Sequence, residues 1–175
     1  NIYHAELNGE NVPVVNALLE RTSKDELVHL LMDNADWSKR GNDWWTPMQS
    51  LTASRDKKPN VNLELVKTVL EAIPEEDRPS VLNHTGNLNG KSALHRACVS
   101  NWLGEYDPEL MAQLFRLLLE NGADINQPID SIHTSVRDQV ESWGKGGYKN
   151  LEPLCDALKP ILDEYDAKTY KELKQ

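Results

Sequence analysis

Apolar positions recur along this chain at helical spacing, in paired runs separated by polar breaks. The sharpest pair opens at Ala93-Leu94-His95-Arg96-Ala97-Cys98 and closes on Leu114-Phe115-Arg116-Leu117-Leu118-Leu119. Residues three and four apart share one face of a helix, so Leu94 and Ala97 mark a short first helix and Leu114, Leu117 and Leu118 the inward stripe of a second. Weaker pairs flank it. Val12 to Leu19 predicts an inner helix and Lys24 to Asp33 an outer one; Pro47 to Thr52 and Glu64 to Glu71 predict a second pair. Thr134 to Val140 predicts a degenerate opening helix, and Leu151 onward a final one. Pro160 in that last stretch is expected to kink or divide it, because proline has no N–H and its ring clashes with the preceding turn. The predicted class is all-α: about four helical hairpins in one domain, at roughly 1–40, 41–82, 83–126 and 127–175.

Turn chemistry agrees with these breaks. Gly90 suits a turn needing positive φ, Ser92 suits a helix N-cap, and Gly122 stands where a left-handed C-cap is needed. Thr46-Pro47 is a capping residue followed by proline in the first turn, where a missing N–H costs nothing. Corresponding positions lie 34 residues apart from Pro13 to Pro47, 46 from Pro47 to Ala93, and 42 from Ala93 to Ser135. The polar stretches Ser54 to Val61 and Ser100 to Pro108 carry the excess as insertions, and Gly144-Lys145-Gly146-Gly147 is expected to be a flexible connection.

The run Asn87-Leu88-Asn89-Gly90-Lys91-Ser92-Ala93-Leu94-His95-Arg96-Ala97, ending in Leu117-Leu118-Leu119-Glu120-Asn121-Gly122-Ala123-Asp124-Ile125-Asn126, resembles an ankyrin repeat. It shows both the T/S-x-L-H-x-A opening and the LLLxxGADIN close. Upstream the pattern decays: Gln49 stands in place of the histidine, and Ala72-Ile73-Pro74 in place of the terminal Gly-Ala-Asp. The resemblance implies an ankyrin solenoid with inserted loops and a helical C-terminal cap, whose polar tail (Asp163 to Glu172) has no further repeat to bury against. It also implies a non-enzymatic, monomeric module that binds a protein partner on its hairpin turns and inner helices. Carried over by position, that face is Asp43, Trp44, Trp45 and Gln49 in the second unit, and Asn89, Lys91, Arg96, Ser100 and Trp102 in the third. His95 takes the motif's structural histidine position, and Cys98 that of a small buried alanine. The irregular repeat lengths resemble the ankyrin regions of large bacterial effector proteins, which would place the partner in a host cytoplasm; a eukaryotic scaffold is the other source. The rival function is a substrate-presenting domain of an enzyme whose catalytic part lies outside these residues.

Composition narrows the choice. Of 175 residues, 39% are hydrophobic and 27% charged, an ordinary globular balance, and the net charge of −9 argues against a surface that tracks nucleic-acid phosphates or anionic lipid. No stretch approaches the roughly 18 apolar residues of a transmembrane helix. Two cysteines without a CxxC pair fit free thiols in a reducing, cytoplasmic setting. The start lacks an initiator methionine and a signal sequence, which is expected of a piece of a longer protein. Asn83-His84-Thr85 matches the glycosylation triplet formally. The five histidines show no metal-ligand spacing and Gly144 to Gly147 is no phosphate loop, so no cofactor or metal is expected. Five tryptophans against one phenylalanine skew the aromatics toward residues favoured at interfaces, with Trp44-Trp45 the most exposed expectation.

Overall fold

The structure is a computed structural model that describes residues 12–33, 46–52, 61–85, 90–98, 107–145 and 151–175. Among these the chain is helical. The helices are α1 (Val12–Leu19), α2 (Lys24–Met32), α3 (Pro47–Thr52), α4 (Leu63–Ala72), α5 (Arg78–Asn83), α6 (Ala93–Ala97), α7 (Pro108–Glu120), α8 (Val136–Lys145), α9 (Glu152–Glu164) and α10 (Tyr170–Leu173). The described residues hold no strand, only an isolated antiparallel bridge between Ile129 and Thr134.

Local chemistry explains where these helices begin. The Ser23 hydroxyl accepts from Glu26 N–H at α2, the Asn62 side chain from Leu65 N–H at α4, and Asp107 from Glu109 N–H at α7. Each satisfies one of the amides that the first helical turn leaves without an intrahelical partner. The apolar faces bury Leu65, Val66, Val69 and Leu70 on α4, and Met111, Leu114, Phe115, Leu118 and Leu119 on α7; of the expected inward stripe Leu117 is only partly buried, at the margin of the core. One hydrophobic cluster runs from Val15 to Ala167.

Burial distinguishes the middle of the stack from its end. Every residue of α3 and α6 is buried, as required of short inner helices pressed between neighbours, and these two lie against each other. By contrast α8 buries only Val136, Val140 and Trp143, and α9 only Leu154, Leu158, Ile161 and Leu162. The remaining faces of α8 and α9 are largely polar, and α9 packs against both α7 and α8.

Two local expectations are corrected, and one turn departs from the repeat pattern. Pro160 does not divide the last helix: α9 runs unbroken from Glu152 to Glu164. Both Pro160 and Asp156, whose carbonyl loses its helical partner, are exposed, so solvent can satisfy that group. Gly144 and Lys145 belong to α8 rather than to a flexible connection, and residues 146–150 lie outside the described residues. After α4, where a Gly-Ala-Asp turn is missing, the chain makes a 3-10 turn (Glu75–Asp77) and then α5. Arg78 does the work of the absent glycine turn: its Nε donates to the Leu70 and Ile73 carbonyls at 2.9 and 3.3 Å, satisfying the end of α4.

Candidate partner-binding edge

Along one edge of the hairpins, a single local device recurs four times. A Ser or Thr and the residue three positions on cap each other reciprocally, the arrangement known as a capping box. In the second unit Gln49 N–H donates to Thr46 Oγ1, and Thr46 N–H donates back to Gln49 Oε1, both at 3.1 Å. Ser92 and His95 form the box at α6, with Ser92 N–H donating to His95 Nδ1 at 3.3 Å. Ser135 with Asp138 opens α8, and Thr169 with Glu172 opens α10. Ser92 and Thr46 are the capping residues expected from sequence; the last two pairs carry the S/T-x-x-[D/E] signature in Ser135 to Asp138 and Thr169 to Glu172.

These boxes also hold the next turn. Gln49 Nε2 donates to the carbonyls of His84 and Lys91 at 3.1 and 2.7 Å, and Thr52 Oγ1 to that of Ala93 at 3.0 Å. The Ser135 hydroxyl reaches the Lys168 carbonyl at 2.8 Å in the same way. Thus α10 stands toward α8 as α6 stands toward α3, and the edge is a row of turns fastened one to the next.

A second set of rungs runs beside the first. Asn83 Nδ2 donates to the Gly122 carbonyl at 2.9 Å while its Oδ1 accepts from Asp124 N–H at 2.7 Å. Asn126 repeats this one unit on, taking Lys168 N–H at 2.7 Å and giving to the Asp166 carbonyl at 3.3 Å. The turns they clamp are left-handed: φ is +93° at Gly122 and +50° at Asp166. The Asn83 amide is therefore consumed inside the fold, and the Asn83-His84-Thr85 triplet cannot take a glycan without breaking a rung. Asn83→Ala is expected to cost about 1–3 kcal/mol, measured by urea unfolding, since two backbone partners lose their bonds together. A change within error would show that the rung contributes no net stability.

His95 and Cys98 lie on α6 but form no nucleophile–base pair. Burial lowers the His95 pKa to about 4, opposed by its contact with the Gln127 backbone and assisted by the charges of Lys91 and Arg96. Burial raises the Cys98 thiol far above its usual range. A neutral ring beside a protonated, 1% exposed thiol is a structural arrangement. Among the described residues no group of three or more His, Cys, Asp or Glu side chains could hold a metal ion, and no helix is long and apolar enough to cross a membrane.

The residues expected at the contact face separate into three groups. Gln49 and Arg96 are 1% and 4% exposed, so neither stands on an open surface. Gln49 is corrected to a scaffold residue: its amide is spent on its own capping box and on the neighbouring turn. Arg96 is corrected likewise, because α6 is enclosed on every side. Lys91 is half-exposed in the turn before Ser92. Asp43, Trp44, Trp45, Asn89, Ser100 and Trp102 lie outside the described residues. Of the other tryptophans Trp143 is core, at 6% exposure.

The edge also carries a feature with no signal in the repeat pattern, a finger from Ile129 to Thr134. Ile129 N–H donates to the Thr134 carbonyl at 2.8 Å and Thr134 N–H returns the bond at 3.3 Å, around a 3-10 turn at Asp130–Ile132. Ile129 is fully buried, with its Cγ2 3.7 Å from where a side chain on Gly90 would begin, whereas Ile132 at the tip is 52% exposed. Gly90 has the expected positive φ, +61°.

Stacked helical hairpins whose successive turns are fastened to one another define a helical repeat protein. Residues 89–130 match the family model described as Ankyrin repeat, so this chain carries an ankyrin repeat at the unit where the motif is sharpest. Ankyrin repeats are protein-interaction modules. No curated protein and no solved structure matches the chain.

Proposed function

We propose that this chain recognises a protein partner on its edge of turns. The observation that carries the reading is the ankyrin repeat at residues 89–130, whose turns are held in place by the capping boxes and asparagine rungs around it. Turns fixed in advance lose little conformational entropy on binding, which favours affinity. Asp43, Trp44, Trp45, Asn89, Lys91, Ser100 and Trp102 are the contact residues in this proposal, with tryptophan anchors and Lys91 setting register. All 175 residues act as one domain of four repeats and bind as a monomer. The free thiols Cys98 and Cys155 support a cytoplasmic setting, and the finer reading of a host-cell partner rests on the uneven repeat lengths alone.

The test pairs Trp45→Ala with Lys91→Glu and compares capture of cytosolic proteins against the parent chain. At least tenfold weaker capture at an unchanged melting temperature is expected, while Gln49→Ala lowers the melting temperature. Equal capture by the double variant would remove these residues from the contact face. Absence of any specific capture by the parent chain would sink the interaction reading itself.

A further inference from the structure

The finger at Ile129 to Thr134 is held by more than the hairpin it belongs to. Its own closure is a single bridge around four residues, and so short a hairpin is not stable alone in water. His133 also takes a left-handed φ of +51°, a conformation that surrounding structure must enforce for most side chains. That enforcement comes from α10. The Tyr170 hydroxyl donates to Asp130 Oδ1 at 3.1 Å, and Lys174 Nζ reaches the same oxygen at 2.8 Å. The His133 ring meets Tyr170 edge-on with centroids 5.3 Å apart, and Lys174 lies 5.6 Å from the centre of the Tyr170 ring. α10 is in turn anchored at its start by the Thr169–Glu172 capping box and by Tyr170 N–H donating to Asp138 at 2.7 Å.

We propose that α10 is a latch on the finger: engaged through Tyr170 and Lys174 it presents the Ile132 tip in one shape, and released it lets the finger open. The latch goes beyond the interaction reading and stands without it. Where that reading also holds, a partner that grips the finger is energetically coupled to whatever engages the C-terminal segment, because both act on one two-state element.

Amide hydrogen exchange on the intact chain tests this without a partner. Tyr170→Phe combined with Lys174→Ala should speed exchange at Ile129 and Thr134 by about three- to tenfold, the size expected for exposed polar contacts, and leave Leu158 and Ile161 in α9 unchanged. Asp130→Lys alone should do the same, and adding Lys174→Asp to it should restore exchange to within about twofold, because the reversed ion pair re-forms. Unchanged finger amides in the first variant overturn the latch, as does a reversed pair that fails to restore them. Acceleration that includes Leu158 and Ile161 also overturns it, by showing that α10 supports the whole hairpin rather than the finger.

Discussion

Replacing Gly122 with alanine should be among the most damaging single changes in this fold, lowering unfolding free energy by about 2–4 kcal/mol. Two causes add. Gly122 sits at φ +93°, a region costly for any residue with a Cβ, and its amide and the next one close the end of α7 on the Leu119 and Leu118 carbonyls. A Cβ built there would also fall 2.6 Å from Pro79 Cγ and 3.2 Å from Pro79 Cβ, on a ring that cannot rotate away. Gly90→Ala separates the two: φ is +61° but the nearest neighbour is Ile129 Cγ2 at 3.7 Å, so only the backbone cost of about 1–2 kcal/mol applies. Adding Pro79→Ala to Gly122→Ala should recover part of the loss. Equal urea midpoints for Gly122→Ala and Gly90→Ala would show that the Pro79 contact relaxes freely.

His95 should make this chain sensitive to mild acid. Its folded pKa of about 4 lies below the ordinary 6.5, so the unfolded chain takes up the proton first as pH falls. The stabilising effect of the neutral ring is complete above pH 6.5 and is lost through the window down to about pH 4, a total of about 3 kcal/mol. Structurally, Nδ1 accepts from Ser92 N–H, and a proton there would expel that donor and open the box. Gln49 shows that a glutamine can hold the same kind of box and reach the next turn. His95→Gln should therefore keep most of the stability at pH 7 while flattening the loss between pH 6.5 and 4. Chemical unfolding at several pH values reads this directly, and parallel curves for the two proteins would refute the assignment.

Much of the third hairpin was legible because its signals are local. Gly90, Ser92, Leu114, Leu118 and Gly122 each act within one turn of their own position, and the structure finds each in its expected role, whereas Leu117 lies at the margin of the buried face. The same holds for α1 and α2, whose bounds follow the apolar pattern closely. What escaped depends on partners distant in sequence. Nothing in Ala72-Ile73-Pro74 announces that Arg78 will turn back onto the Leu70 carbonyl, or that the turn resumes at Asn83. Asn83 and Asn126 are ordinary polar residues until the backbone some 40 residues on is brought beside them. The motif puts Gln49 and Arg96 on an open face because it marks positions, whereas burial depends on how closely neighbouring hairpins enclose them. Asp166 was invisible as a left-handed turn because the pattern looks for glycine there.

The asparagine rungs have a mechanical consequence. Each one ties a turn only to the next unit, and no described rung reaches across two. Tension applied at the two chain ends would therefore load the rungs in series and peel hairpins away one at a time. Each release would lengthen the chain by about 150 Å, the reach of some 43 extended residues. A force–extension trace should show teeth of that spacing rather than a single rip. A stack built this way yields gradually, as a molecular spring would.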